Sequence, residues 1–254
     1  MQVTGIPTQV QSVLEEIGRL ADQQRVTAYA IGGCVRDWLL GRSSTADLDM
    51  TVVGDGIDFA NAIANSLGVQ ATPHEQFGTA TLAFCLDRPG SARRQKDHAS
   101  RTLRIDIATC RAEHYPEPAA YPRVRAGTIE EDLFRRDFTV NAMGMLVNHN
   151  RFGELVDLFG GLRDLRAGRL RVLHPKSFLD DPSRILRAAR FLPRFGFRLE
   201  TKTSGYLKQA IRRRVLARLN RGRFRKELDR MAEEPDPLRC LTQLAQWLSL
   251  PQAK

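Results

Sequence analysis

Two aspartates one residue apart, in Ala46-Asp47-Leu48-Asp49-Met50-Thr51-Val52, are the sharpest chemical signal in this 254-residue chain. In a strand, alternate side chains share a face. Leu48, Met50 and Val52 then point one way, while Asp47 and Asp49 point the other, ~6.6 Å apart along the chain. Two carboxylates on one face can bracket hard cations, the arrangement that two-metal phosphoryl transfer uses. A solvated strand face or a helix cap would leave the same triplet. For an isolated D-x-D that plain reading is favoured by roughly ten to one.

The neighbouring sequence changes those odds. Upstream lies Gly32-Gly33-Cys34-Val35-Arg36-Asp37, a strand-to-helix turn in which glycines let backbone amides approach a phosphate without a Cβ in the way. Arg36, within one turn, would offer a fixed positive charge to a triphosphate. The segment is neither a Walker A loop nor a G-x-G-x-x-G fingerprint. A structural turn explains the glycines, but not their coupling to an arginine and a D-x-D strand. A third carboxylate stands in Leu103-Arg104-Ile105-Asp106-Ile107, where Asp106 is on the opposite side from the two isoleucines. If that strand pairs beside 47–53, Asp106 joins the same face. A simple ion pair with Arg104 or Arg111 is an equal alternative.

Two later segments suit a nucleotide. In Glu131-Asp132-Leu133-Phe134-Arg135-Arg136-Asp137-Phe138-Thr139-Val140-Asn141, Asp132 and Arg136 have the i, i+4 spacing of a helix-surface pair. Arg136, Asp137 and Asn141 equally offer donors for phosphates and an acceptor for a ribose hydroxyl. In Asp180-Asp181-Pro182-Ser183-Arg184-Ile185-Leu186-Arg187-Ala188-Ala189-Arg190, Pro182 fits a first helical position and Asp181 the cap before it. Arg184, Arg187 and Arg190 recur every third residue as an all-arginine stripe with no interleaved acid. An aspartate accepting from an exocyclic amine, beside an arginine donating to a ring nitrogen, would select C and A over U and G.

The elements that must position these residues are legible in outline. Helical spacing covers 10–24, strands are expected at 26–31 and 47–53, and a helix at 58–67. A hairpin is expected around Gly78 and a strand at 103–109. Residues 87–101 are polar with Pro and Gly and read as an exposed loop, and the proline-rich 115–125 stretch as irregular. Thr128-Ile-Glu-Glu131 has capping-box spacing and opens a helix to about Arg136. One more short strand is expected within 151–159. Helical patterns then follow at 162–166, 181–192, 203–214, 221–231 and 237–248. The chain thus divides into a mixed α/β part, 1–158, and an all-helical part, 159–254.

Charge follows the same division. Residues 1–150 hold 15 Lys and Arg against 18 Asp and Glu, whereas 151–254 hold 24 against 11. Such asymmetry points to a polyanionic partner for the second part. Of the 39 basic residues 33 are arginine, whose planar fork suits phosphates and base edges. Cys34, Cys85, Cys110 and Cys240 have no metal-ligand spacing and read as reduced core residues of an intracellular protein. The first residues lack the pattern of a signal peptide, and no apolar run approaches the ~18 residues of a membrane span. A cytoplasmic protein with no membrane role is the expectation.

The stretches IGGCVRDWLLGRSSTADLDMTV, DIATCRAEHYPEPAAYPRV, EEDLFRRDFTVNAM, DLFGGLRDLRAGRLRVLHPKSFLDDPSRILRAARFLPRFGF and RFRKEL together resemble the class II tRNA nucleotidyltransferases and bacterial poly(A) polymerases. These belong to the polymerase β-like nucleotidyltransferase superfamily. The resemblance runs over about residues 26–230 and implies an α+β fold, a catalytic head with a mixed sheet followed by a helical neck. It implies that Asp47 and Asp49 hold Mg²⁺, two ions being expected, and that Asp106 is the third catalytic acid. Gly32, Gly33, Arg36 and Asp37 would serve the triphosphate, and Arg136, Asp137 and Asn141 the sugar and phosphates. Asp181 and Arg184 would read the base, with Arg187 and Arg190 as further nucleotide or RNA contacts. The implied activity is addition of C, A or both from CTP and ATP to the 3′ end of tRNA. A poly(A) polymerase and an RNA-binding module without full activity are the alternatives. Full-length relatives continue into body and tail domains that grip tRNA. Leu241, Leu244, Trp247 and Leu248 form one apolar side of the 237–248 helix, which is expected to be covered by such a domain or by a second copy of the chain.

Overall fold

The computed structural model describes residues 1–42, 47–85 and 102–249. The loop expected at 87–101 lies outside the described residues. In chain order the elements begin with α1 (Thr8–Gln24), β1 (Thr27–Ile31), α2 (Gly33–Leu39), β2 (Asp47–Val53) and α3 (Gly56–Leu67). A hairpin of β3 (Ala71–His74) and β4 (Thr79–Cys85) follows, then β5 (Thr102–Thr109), β6 (Arg111–His114), β7 (Arg123–Ala126) and α4 (Ile129–Phe134). Next come β8 (Gly144–Leu146), β9 (Leu155–Val156), α5 (Gly161–Arg166), β10 (Arg169–Leu170), α6 (Ser177–Asp180) and α7 (Ser183–Phe195). The chain closes with β11 (Arg198–Leu199), α8 (Thr201–Arg212), α9 (Arg221–Ala232) and α10 (Pro237–Leu248).

Two compact units result. The first holds residues 1–112, 126–133 and 141–158, and the second 113–125, 134–140 and 159–254. The chain therefore passes from one unit to the other five times.

In the first unit, seven strands form one sheet in the order β3-β4-β5-β2-β1-β8-β9. The β2–β5 pair is parallel and its other pairings are antiparallel. Leu48, Met50 and Val52 of β2, Ile105 and Ile107 of β5 and Leu82 of β4 are buried, as strand alternation requires. Each such side chain contributes about 1.5–3 kcal/mol by leaving water. Helix α3 packs on β4 and β5, and α1 on α3 and β1. Buried Val10, Leu14 and Ile17 line the inner face of α1. Gly18 is required there because a Cβ would stand 2.0 Å from the Val147 carbonyl oxygen. β6 and β7 pair as a separate ribbon, so the proline-rich stretch is not wholly irregular: its last residues form a strand.

The second unit is built around α7, whose Ile185, Leu186, Ala188, Ala189, Phe191 and Leu192 are buried. Helices α6, α9 and α10 pack against it. Side chains cap the helices that surround it: Glu200 accepts from the Lys202 and Thr203 amides, Asn220 from Gly222 and Arg223, and Asp236 from Arg239. A two-residue parallel ladder, β10–β11, interrupts the helical pattern. Of the four residues on the apolar side of α10, Leu244 and Trp247 are buried within the unit, with Cys240 beside them, and Leu241 and Leu248 are exposed. Of the other large apolar side chains on that helix, Leu238 is exposed as well. Among the described residues no helix is long and apolar enough to cross a membrane. Cys34, Cys110 and Cys240 are buried free thiols, while the Cys85 side chain lies outside the described residues.

Candidate functional site

The carboxylate face of the first unit follows from register. Asp47 and Asp49 are exposed on β2 while Leu48 and Met50 between and beyond them are buried. Because β2 and β5 run parallel, Asp49 pairs with Asp106 and Asp47 with Arg104. Adjacent strands lie ~4.8 Å apart, so Asp106 shares the face of the D-x-D pair. Both oxygens of Asp106 are engaged. Thr81 Oγ1 donates to Oδ1 at 2.6 Å, and Arg104 Nη2 reaches Oδ2 at 3.1 Å. His74 Nε2 stands 3.2 Å from the same Thr81 hydroxyl.

Among the described residues no three His, Cys, Asp or Glu side chains gather closely enough to hold a metal ion. Asp106 is bonded by Thr81 and Arg104, and the exposed Asp47 and Asp49 stand on the same face. Their donor chemistry fits Mg²⁺: hard, anionic carboxylate oxygens on one exposed face.

The glycine turn is a different construction from the one its sequence suggests. Gly32 adopts φ 78° and its N–H donates to the Met143 carbonyl, so that amide is not open to a phosphate. Arg36 is buried rather than free. Its Nε and Nη2 make two 2.9 Å bonds to the Asp37 carboxylate, and Nη1 donates to Asn141 Oδ1 at 2.5 Å. Asn141, expected to accept from a ribose, accepts here from Arg36. The turn is thus braced from behind by a buried, charge-assisted network. A Cβ on Gly33 would only touch Arg36 Nη2 at 3.5 Å.

In the second unit Asp137 and the arginines of α7 form one polar core. Asp137 Oδ1 accepts from the Phe138 amide at 2.7 Å, and its Oδ2 takes Arg187 Nε at 2.7 Å and Nη2 at 2.6 Å. Burial works against the Arg187 charge, yet Asp137 and Glu227 outweigh it and raise its pKa. Arg184 donates to Ser177 Oγ and to the Arg135 carbonyl, both at 2.5 Å. Asp181 Oδ1 accepts from Ser183 N–H at 2.9 Å and Ser183 Oγ at 2.6 Å, which fulfils the expected cap. Half-buried Arg136 lies past the end of α4, which stops at Phe134 and so falls short of the expected end near Arg136. Asp132 accepts from the Arg111 amide.

The arginine stripe also needs correction. Arg190 is 8% exposed and donates to Glu234 at 3.0 Å, with Glu227 at 3.8 Å. Its guanidinium braces α7 from within the unit. Burial lowers its pKa despite those acids. The stripe is free of acids within its own helix, but Asp137, Glu227 and Glu234 come to it from elsewhere in the chain.

Sequence reasoning missed Arg223, whose Nη2 lies 2.6 Å from Asp181 Oδ1, and the buried Glu227 and Glu234. Arg223 and Glu227 lie in the RFRKEL stretch that helped carry the family resemblance. It also missed His174, half-buried beside Phe134 and 3.8 Å from Asp180. Desolvation, then Arg184 and Lys176, push its pKa down to about 4. Asp180 is raised in turn by burial.

A strand-borne aspartate pair behind a braced glycine turn is the framework of a nucleotidyltransferase head. Residues 28–171 match the poly A polymerase head domain, and the chain belongs to that family. Its relatives include the A-adding tRNA nucleotidyltransferase of Geobacter sulfurreducens, 36% identical over 240 residues, a match covering 94% of this chain and 26% of that one. The A-adding enzyme of Aquifex aeolicus is 44% identical over 201 residues, covering 79% and 22%. A solved CCA-adding enzyme in complex with ATP superposes with a TM-score of 0.80 at 38% identity, covering 96% and 52%. The chain therefore spans about a quarter of those two relatives and about half of the solved protein.

Proposed function

We propose that this chain carries the nucleotide-handling part of a template-independent RNA nucleotidyltransferase that adds C, A or both from CTP and ATP to the 3′ end of tRNA. The observation that supports it most is the β2–β5 register, which sets Asp106 beside Asp49 on the face that exposes Asp47. The division proposed is a catalytic head over 1–158 and a helical neck over 159–254.

In the reaction the RNA 3′-hydroxyl oxygen forms a bond to the α-phosphorus of the nucleotide. The bond from that phosphorus to the bridging oxygen breaks, and pyrophosphate leaves. Asp47 and Asp49 would hold Mg²⁺, two ions being proposed, which when bound acidifies the hydroxyl and neutralises charge on the leaving group. Asp106 keeps a carboxylate beside Asp49. Arg36, Asp37 and Asn141 hold the shape of the Gly32-Gly33 turn, the proposed seat of the triphosphate. Arg136 and Asp137 serve sugar and phosphates, with Arg187 fixing the Asp137 carboxylate. Asp181 and Arg184 read the base edge, where cytosine N4 and adenine N6 are donors but uracil O4 and guanine O6 are acceptors.

The test offers labelled CTP and ATP, separately and together. The RNAs end at the discriminator base, at C or at CC, and an unrelated RNA is included. Mg²⁺-dependent extension of tRNA with pyrophosphate release is expected, and the ends extended distinguish CCA, CC and A addition. Equal extension of the unrelated RNA by a run of A would replace the proposal with poly(A) synthesis. RNA binding without incorporation would replace it with a binding module.

A further inference from the structure

The two oxygens of Asp181 are unequal. Oδ1 carries three donors, the Ser183 amide, the Ser183 hydroxyl and Arg223 Nη2 at 2.6 Å. Oδ2 faces Arg184 Nε at 4.0 Å, beyond hydrogen-bond range. Arg223 is held in its turn. The Asn220 cap fixes the first turn of α9, the guanidinium stands 5.8 Å from the centroid of the Tyr121 ring, and Nη2 lies 3.5 Å from Ser183 Oγ. Tyr121 is 68% exposed, an unusual cost for an aromatic ring unless its face has a partner.

From this geometry we propose that Arg223 is a specificity-determining residue, which locks Asp181 through Oδ1 so that only Oδ2 is presented to an incoming base, with Tyr121 steadying the guanidinium. The inference rests on the reading that Asp181 accepts from the exocyclic amine. Its physical basis is the softness of a carboxylate. The terminal torsion of an aspartate is broad, so an unclamped Asp181 can turn away from an acceptor such as guanine O6 or uracil O4, and water can fill the gap. A clamped one cannot, and the unfavourable oxygen–oxygen approach is retained. Arg223 therefore acts on the difference between bases more than on affinity for the correct one.

The experiment measures Kd for ATP, GTP, CTP and UTP with Mg²⁺ on the full chain by equilibrium dialysis, so it does not require turnover. R223Q should lower the ATP-over-GTP and CTP-over-UTP preferences about tenfold, the scale of one good base contact. R223K, which keeps a donor for Oδ1, should recover part of the preference. Y121L should lower it by about threefold, as loss of an exposed cation–π contact predicts. D181N separates the two levels of the argument. Should it leave the preferences intact, the reading of Asp181 itself is wrong. Should D181N abolish them while R223Q weakens all four nucleotides equally, Arg223 is merely structural and the inference is overturned. If R223Q loses its far-UV circular dichroism, Y121L decides, and an unchanged preference there overturns the inference.

Discussion

Replacing Asp137 by asparagine should destabilise the second unit without disturbing the first. Asp137 is 7% exposed, and Arg187 makes two short bonds to its Oδ2. Asparagine retains an oxygen for the Phe138 amide but turns an NH₂ toward the guanidinium. Removing one partner of a buried pair costs about 3–5 kcal/mol. Arg187 is 27% exposed at the side chain and keeps Glu227 at 3.6 Å, so screening and the remaining acid reduce this to ~2 kcal/mol. For a chain of this size that corresponds to a fall of about 4–8 °C in Tm. The chain's two tryptophans make the measurement local: Trp38 lies in the first unit and Trp247 in the second. In a W38F background, urea unfolding followed by Trp247 fluorescence reports D137N, R187M and the double variant. A coupling of about 1–2 kcal/mol is expected from the cycle. A coupling under ~0.5 kcal/mol would refute the claim that this pair anchors the polar core.

Three further outcomes follow from the same structure. D47A and D49A should each reduce Mg²⁺-dependent incorporation by at least about 10³-fold while leaving the urea midpoint within ~0.5 kcal/mol, because both side chains are exposed; retained incorporation would remove them from the site. His174 has its folded pKa lowered to about 4, so its contribution is present above its ordinary 6.5 and lost as pH falls from there toward 4. That amounts to roughly 3 kcal/mol at the acid end, and H174N should unfold less steeply than the wild type across this window in urea titrations at stepped pH. G18A forces a Cβ to within 2.0 Å of the Val147 carbonyl oxygen and should cost at least ~2 kcal/mol of first-unit stability, read by Trp38 fluorescence.

The sequence carried the chemistry of the site further than its wiring. Alternation of Asp47, Leu48, Asp49 and Met50 was sufficient for the bounds and facing of β2, and helical spacing for the bounds of α10, because both signals are local. The partner of β2 was not local: pairing with β5, and with it the approach of Asp106 to Asp49, depends on a crossover of some fifty residues that no periodicity encodes. β8 went unread because Gly144, Met145 and Leu146 are all buried and show no alternation. The α7 arginines looked solvated since their acids lie at Asp137, Glu227 and Glu234, far away in sequence. Arg36 bonds to its neighbour Asp37, but the contact that closes the network is distant. Its partner Asn141 is 105 positions away.

The repeated passage of the chain between its two units bears on how the protein can be dissected. A cut at 158/159 would strip residues 113–125 and 134–140 from the second unit and leave them attached to the first. The severed second piece would lack Asp137 opposite Arg187 and the Arg135 carbonyl opposite Arg184. Neither fragment is then an autonomous module. Swapping neck segments among relatives at that boundary would exchange only part of each unit, and a functional chimera must carry the two short inserts along with the C-terminal portion.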